Sequence, residues 1–495
     1  MTFEPKRLHI SAILFIALKT IKESIVIIFS LIFIIGRIDF FNYVILGMAL
    51  MVAGIILFSW LKWLRFKYAL DEDGLKIEQG IIIRHHRSIS KHRIQSINFS
   101  QTIIHRMFGL TEVQIETAGS DMEVDAKLSA LTQTEAKQLR KALKSSNAEQ
   151  AIDETTEDAQ YDYDYALKNN LPRFEISYKR LFIFGSTSGG FGLIFAVVLF
   201  IMNEAEVFVP DDIYETTTNW LFAQAVTTLI ILIVLFLLFT WLIGVLGSVV
   251  KYGDFTIIRY SDELYITRGL WEKKQLTIPL KRIQAIGFKQ NPLRLPFDLG
   301  FVYVEIAGGE VETGQNNRTI VFPLLRRKEL TSFFESLVPE YATNFDEIKP
   351  ISKRLFAFYS GIVTLILVLP IGALLYFVPN LWWIGLIVYG LAILYSYFTY
   401  KMMGFYQIDN QLCMQSFLLG SKQIIFMKKR RIQAFEKRQS LLQKRINIAS
   451  IQASIMNNFI GQHYSVSGLT ETQIGNLSDW YSYQDEYKLE DIDQP

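Results

Sequence analysis

Three arginines of this chain stand in the same short context. Arg93-Ile94-Gln95, Arg282-Ile283-Gln284 and Arg431-Ile432-Gln433 are each followed, six residues past the first Gln, by another: Gln101, Gln290 and Gln439. A guanidinium offers a planar fork of donors suited to bidentate phosphate contact. A threefold Arg–Gln surface could therefore hold anionic lipid head groups or a partner. The structural alternative is that an Arg and a Gln flanking a buried Ile at a strand start tie down loop carbonyls. A motif that repeats with a fold tends to report the fold. Basic runs accompany the motif. Residues 422–445 hold Lys422, Lys428, Lys429, Arg430, Arg431, Lys437, Arg438, Lys444 and Arg445 against one acid, Glu436. Beside an anionic leaflet each such cation gains about 1 kcal/mol. Lys428, Lys429, Arg430, Lys437, Arg438, Lys444 and Arg445 are thus candidates for membrane-surface contact, with a plain solvated face as the alternative. Arg84, Arg87, Lys91 and Arg93 form a smaller cluster of the same kind.

Other chemistries find little footing. His85, His86 and His92 lie close together, but no acidic or thiol residue completes a metal-ligand spacing. A single cysteine, Cys413, excludes a disulfide framework and reads as a small core residue. No G-x-S-x-G, H-E-x-x-H or P-loop pattern occurs, so a non-enzyme without cofactor, metal or small-molecule substrate is expected. Aromatic residues are not interleaved with the basic runs as a nucleic-acid platform would need.

Long apolar segments must position these residues. The 495 residues are 51% hydrophobic and only 20% charged, with a net charge of +2, and mean hydropathy is +0.24. Six stretches approach the roughly 20 apolar residues of a spanning helix, in three pairs: 22–41 and 43–61, 181–202 and 220–247, 355–378 and 381–400. Residues 8–21 read as an interfacial helix leading into the first span, with Lys19 and Glu23 one turn apart and able to pair. Gly185 and Gly189 are spaced for close helix approach, and Pro370 is expected to kink the fifth span. Lys and Arg crowd the outer flanks of each pair (Lys6, Arg7, Lys62, Arg65, Lys179, Arg180, Lys251, Lys353, Arg354, Lys401), whereas 203–219 carries five acids and no base. By the positive-inside rule both termini and the long segments are cytoplasmic, in a multi-pass cell-membrane protein of six spans.

The pairs head a threefold repeat. Lys-Arg-Leu begins at Lys6, Lys179 and Lys353, and Arg-Ile-Gln follows once in each copy. Alternating β-branched and aromatic runs predict strands at Leu75–Gln79, Glu112–Thr117, Phe255–Arg259, Leu264–Arg268 and Phe301–Ile306. Thr132 with Glu135 and Thr470 with Gln473 fit capping boxes, and Leu330, Phe333, Phe334 and Leu337 share a helix face. The expected organisation is 1–62 interfacial helix and first hairpin, 63–147 first domain, 148–172 acidic linker, 173–250 second hairpin, 251–342 second domain, 343–401 third hairpin, 402–483 third domain, and 484–495 acidic tail. Short strands ending in an amphipathic helix suggest an α+β unit, a small barrel or sandwich plugged by that helix.

With three hairpins, three such domains and the Arg-Ile-Gln motif with its trailing Gln, the chain resembles the bacterial pleckstrin-homology-domain membrane proteins of the YdbT type over nearly its whole length. The resemblance implies PH-like antiparallel β-barrels of seven strands, each capped by a C-terminal helix. It also implies a smaller one-domain partner of the YdbS type, and a link to tolerance of membrane-active peptides. The third repeat departs most, with Phe417 where the others have Gly80 and Gly269. A scaffold contacting the bilayer and a partner is the reading these observations favour. An uncoupled transporter or lipid or peptide exporter subunit is the alternative, against which five spans lack any ionisable residue.

Overall fold

The computed structural model describes residues 5–35, 41–71, 73–117, 126–144, 170–188, 226–307, 318–341, 348–456 and 461–482. Among these, four segments are long and apolar enough to cross a membrane: Leu46–Arg65, Ile230–Tyr252, Arg354–Phe377 and Pro379–Met402. Six were expected. Residues 22–35 of the first of the six lie in one continuous helix, Ala12–Ile35, with no break after the interfacial part, and residues 36–40 lie outside the described residues. The three charges Lys19, Lys22 and Glu23 lower its hydropathy, and Lys19 and Glu23 do pair at 3.6 Å. Of 181–202 the structure describes only the end of helix Tyr178–Ser186 and two further residues. All but the last three residues of the acidic linker, the whole acidic tail and Gly189 lie outside the described residues. Helix Arg354–Phe377 runs through Pro370 without interruption.

The chain forms two compact units, 1–279 and 280–495. In the first, β1 (Lys67–Asp71), β2 (Gly74–Gln79) and β3 (His85–Ser90) make a three-stranded antiparallel sheet. β4 (Ile94–Gln101), β5 (Leu110–Thr117) and β6 (Ala126–Thr132) begin a second sheet. It continues through β10 (Lys273–Pro279), β9 (Glu263–Arg268), β8 (Thr256–Arg259) and β7 (Arg173–Glu175), in the order β6-β5-β4-β10-β9-β8-β7. The seam is antiparallel, with Lys273 opposite Gln101 and Gln275 opposite Phe99. Leu75, Ile77 and Ile89 of the first sheet share one buried core with Ile97, Val113, Ile115 and Leu128 of the second and with Leu139 and Leu143 of helix Gln133–Lys144. That helix starts on the expected capping box, Thr132 and Glu135 exchanging bonds of 3.2 and 3.3 Å.

The second unit repeats the plan. Its seven-stranded sheet runs β13 (Arg318–Arg326), β12 (Leu299–Ile306), β11 (Ile283–Gln290), β17 (Ser421–Lys428), β16 (Gln411–Leu418), β15 (Gly404–Ile408) and β14 (Lys349–Pro350). A three-stranded sheet of β18 (Ile432–Arg438), β19 (Ala449–Ile455) and β20 (Gln462–Leu469) follows, closed by helix Glu471–Ser482. Leu330, Phe333, Phe334 and Leu337 are all buried, as their helical spacing predicts. Cys413 is buried in β16.

These sheets correct the expected closed barrels. Closure would join the third and fourth strands of one repeat, but a one-turn 3-10 helix intervenes (Lys91–Arg93, Leu280–Arg282, Lys429–Arg431). In repeats one and two the fourth strand pairs instead with the third strand of the following repeat. Helical segments are inserted within the sheets: β7 precedes helices Tyr178–Ser186 and Val226–Tyr252 and pairs with β8 after them, and β14 and β15 do the same around helices Arg354–Phe377 and Trp382–Met402. In the first repeat a single bridge joins Lys6 to Tyr68. The Leu of each Lys-Arg-Leu marker is buried (Leu8, Leu181, Leu355), at or just before the start of a helix.

Candidate functional site

The Arg-Ile-Gln motif is a corner. Its Arg ends the one-turn helix, its Ile opens the fourth strand, and its Gln falls at a register shift in all three copies, between Ile94 and Ser96, Ile283 and Ala285, and Ile432 and Ala434. A bulge there bends the strand where the chain changes sheets. Buried Arg282 donates from Nε and Nη2 to the Ala307 carbonyl at 3.2 and 3.1 Å. Arg431 donates through Nη2 to the carbonyl of Lys281, in the corner of the preceding repeat. Gln284 donates to its own arginine's carbonyl at 3.0 Å. The trailing glutamines lie at the opposite end of the strand: Gln290 donates to Asp298 at 3.1 Å and Gln439 to the Ile448 carbonyl at 3.0 Å. Arg93 is exposed at its corner, Gln95 is half-buried and Gln433 exposed. The nine motif residues thus do not converge on one ligand site.

A second repeated position escapes the motif search. Glu116 and Glu305 stand twenty-three residues after Arg93 and Arg282, and both are buried. Ser96 and Asn98 donate to Glu116 at 2.6 and 3.0 Å, and Asn98 Oδ1 accepts from the Thr277 N–H at 3.1 Å, across the seam between repeats. Glu305 accepts from Arg318 Nε at 2.9 Å and from the Tyr464 hydroxyl. Arg318 lies over the Tyr303 ring at 4.7 Å, and Gln423 donates to the Tyr303 hydroxyl at 2.6 Å. Burial raises the Glu305 pKa, opposed by the bonds from Tyr464 and Arg318. In the third repeat the place is taken by Ser454, bonded to His463 at 2.7 Å. The signal available in sequence was a shared offset, hidden because the third copy breaks it.

Helix attachments define two ends of each unit. The turn between β9 and β10 lies against a spanning helix, Leu270 N–H donating to Val250 O at 2.9 Å. The turn between β16 and β17 does likewise, Leu419 N–H donating to the Tyr395 hydroxyl at 3.1 Å. The short helix Ile103–Met107 stacks His105 on Phe15 of the first helix, ring centroids 3.7 Å apart. Arg354, which opens a spanning helix, donates to the Ile446 carbonyl beside short helix Leu441–Arg445 at 3.2 Å. Large apolar side chains stand exposed at this helix-bearing end: Ile82, Ile83, Met107, Phe108 and Trp271 in the first unit, Phe297, Leu418, Leu419, Leu441 and Leu442 in the second. The Arg-Ile-Gln corners occupy the other end. β17 alone has eight residues, about 26 Å at roughly 3.3 Å per residue.

This geometry divides the basic run. Lys428, Lys429 and Arg430 lie at the far end, where Lys428 sits over the Tyr341 ring at 4.8 Å and Lys429 over Trp480 at 5.8 Å. Lys437, Arg438, Lys444 and Arg445 lie toward the helix-bearing end. Lys437 is 3.6 Å from Glu471 and Arg438 3.0 Å from Glu436, while Lys444 and Arg445 are exposed beside Leu441 and Leu442. His86 meets Glu78 at 3.3 Å, and no cluster of three metal-ligating side chains occurs among the described residues.

Paired antiparallel sheets with a closing helix, repeated three times on membrane helices, define a multi-domain membrane protein of PH-like type. The bacterial PH domain family matches residues 15–147, 198–340 and 363–485, and the chain belongs to that family. It is 30% identical to the transmembrane protein YdbT of Bacillus subtilis (strain 168), over 98% of this chain and 99% of that protein.

Proposed function

We propose that this membrane protein is a non-enzymatic scaffold that holds three PH-like domains against the cytoplasmic leaflet and presents them to a membrane partner. The partner class is a smaller one-domain relative of the YdbS type, and the physiological setting is envelope defence against membrane-active peptides. The observation that carries the reading is the helix-bearing end of each unit, where exposed Leu, Ile, Phe and Trp side chains sit among cations and beside the mouths of the spanning helices. Apolar tips flanked by Lys and Arg suit the boundary between head groups and acyl chains. Lys62, Arg65, Lys251, Arg354 and Lys401 at the same helix ends favour the cytoplasmic side, and six spans complete three hairpins. The test is a fluorophore on Leu419→Cys and Leu441→Cys in nanodiscs of mixed anionic and zwitterionic lipid. Quenching by lipid-borne spin label is expected at both and not at His92→Cys, an exposed corner position. Equal, water-like quenching at all three would refute lipid contact, and a chain that always copurifies alone from native membranes would refute the scaffold.

A further inference from the structure

The corner of the third repeat is basic, and the closing helix delivers an acidic segment beside it. The one-turn helix Lys429–Arg431 follows Lys428, the last residue of β17. Arg431 reaches back to the Lys281 carbonyl, so the corner of the second repeat adjoins that of the third. Lys281 and Arg430 are exposed, and Lys428, Lys429 and Arg431 are half-buried. Burial lowers the Lys428 pKa, and Arg430 and Arg431 lower it further against the opposing pull of Glu340, so these cations already crowd one another. The acids beside them, Glu340, Asp409 and Asp479, are fewer than the cations, and the patch keeps a positive surplus.

Helix Glu471–Ser482 is pinned to this corner by its last turn. Lys429 lies over the Trp480 ring at 5.8 Å, and the Trp480 indole N–H donates to the Asp409 carbonyl at 2.6 Å. The Tyr481 hydroxyl donates to the Ile432 carbonyl at 3.2 Å, and its ring stacks on Phe435 with centroids 5.3 Å apart. Residues 484–495 follow, with Asp485, Glu486, Glu490, Asp491 and Asp493 against one base, Lys488. At roughly 3.3–3.6 Å per residue, Asp485 reaches at most about 10 Å from Ser482 and Asp493 at most about 40 Å. That is enough to cross two corners in hydrogen-bond contact. A segment tethered by a few residues is presented at an effective concentration on the order of mM, at which individually weak exposed ion pairs act together. An acidic partner arriving from solution lacks that advantage.

We infer that the acidic segment 484–495 docks on the basic corner of its own chain, over Lys428, Lys429, Arg430, Arg431 and Lys281, and covers it against other anionic surfaces. The inference is independent of the scaffold reading, since it concerns only the end of the second unit away from the helix attachments.

A photo-crosslinking phenylalanine analogue in place of Tyr487, in the full chain in nanodiscs, tests it. The expected result is a crosslink within one chain, mapped by mass spectrometry to residues 428–431 or to Lys281. Glu490→Lys with Asp491→Lys is expected to lower that crosslink several-fold, as is about 1 M salt, where the Debye length is about 3 Å. Cys413 should stay protected from thiol reagents throughout, which reports an intact sheet. Neutralising the segment (Asp485→Asn, Glu486→Gln, Glu490→Gln, Asp491→Asn, Asp493→Asn) is expected to raise the affinity for a labelled hexaglutamate peptide several-fold, and Arg430→Glu in the same background to remove the gain. A crosslink to lipid, to residues 148–172, to another face of the chain or to a second copy would overturn the inference. So would the absence of a crosslink, or a peptide affinity unchanged by neutralisation.

Discussion

Glu305→Gln probes the buried network that ties β12 to β20. Glu305 is wholly inaccessible, and it holds both Arg318 at 2.9 Å and the Tyr464 hydroxyl. Removing one member of a buried pair costs about 3–5 kcal/mol, because the other charge is left desolvated and uncompensated. Glutamine keeps one acceptor oxygen, so the low end, about 3 kcal/mol, applies here. The chain supplies its own reporter. Cys413 is the only thiol, it is fully buried in the same seven-stranded sheet, and burial pushes its pKa up. Under native conditions a maleimide reaches it only when the sheet opens. A loss of about 3 kcal/mol in opening free energy accelerates labelling about 100-fold, at 1.4 kcal/mol per factor of ten. Adding Arg318→Met to Glu305→Gln removes the orphaned cation and is expected to recover most of the protection, since an apolar replacement of a buried pair is near neutral. A labelling rate within about threefold of the parent in Glu305→Gln would refute the claim that the carboxylate supports the sheet.

Two further substitutions follow from the same geometry. Arg282→Ala removes both bonds to the Ala307 carbonyl from a buried guanidinium and is expected to cost about 2 kcal/mol in thermal or denaturant unfolding, whereas Arg93→Ala at an exposed corner should cost under about 0.5 kcal/mol; equal costs would contradict the difference between the corners. Burial lowers the Lys422 pKa from 10.5 to about 8. Because the folded value is the depressed one, the native state sheds this proton first. Its contribution to stability is complete above pH 10.5 and is lost as pH falls through about 8, so the melting temperature should rise across that window in the parent and not in Lys422→Met. A parallel rise in both would place the titration elsewhere.

Much of this molecule was written in local pattern. The Lys-Arg-Leu and Arg-Ile-Gln spacings marked the threefold unit, because each marks a place where every copy does the same mechanical job: Leu8, Leu181 and Leu355 are buried where a helix begins, and the Arg-Ile-Gln corners turn the chain between sheets. The capping boxes, the buried face from Leu330 to Leu337 and the buried Cys413 were legible for the same reason, since helix and strand periods are short-range. The sequence also placed cations at helix ends, where hydropathy and charge change within a few residues.

Tertiary structure decided the rest. No local signal says whether β4 pairs within its own repeat or with β10, because both partners offer the same backbone donors and acceptors. The choice depends on how the one-turn corner directs the chain. That choice opened the expected barrels, set Asn98 across a seam, and left β3 and β18 as the unmatched edges. It also separated Lys428, Lys429 and Arg430 from Lys444 and Arg445, which are close in sequence but belong to opposite ends of a unit. A strand carries successive residues about 3.3 Å apart in a straight line, so a run of charge that looks continuous in sequence is distributed over the length of a domain.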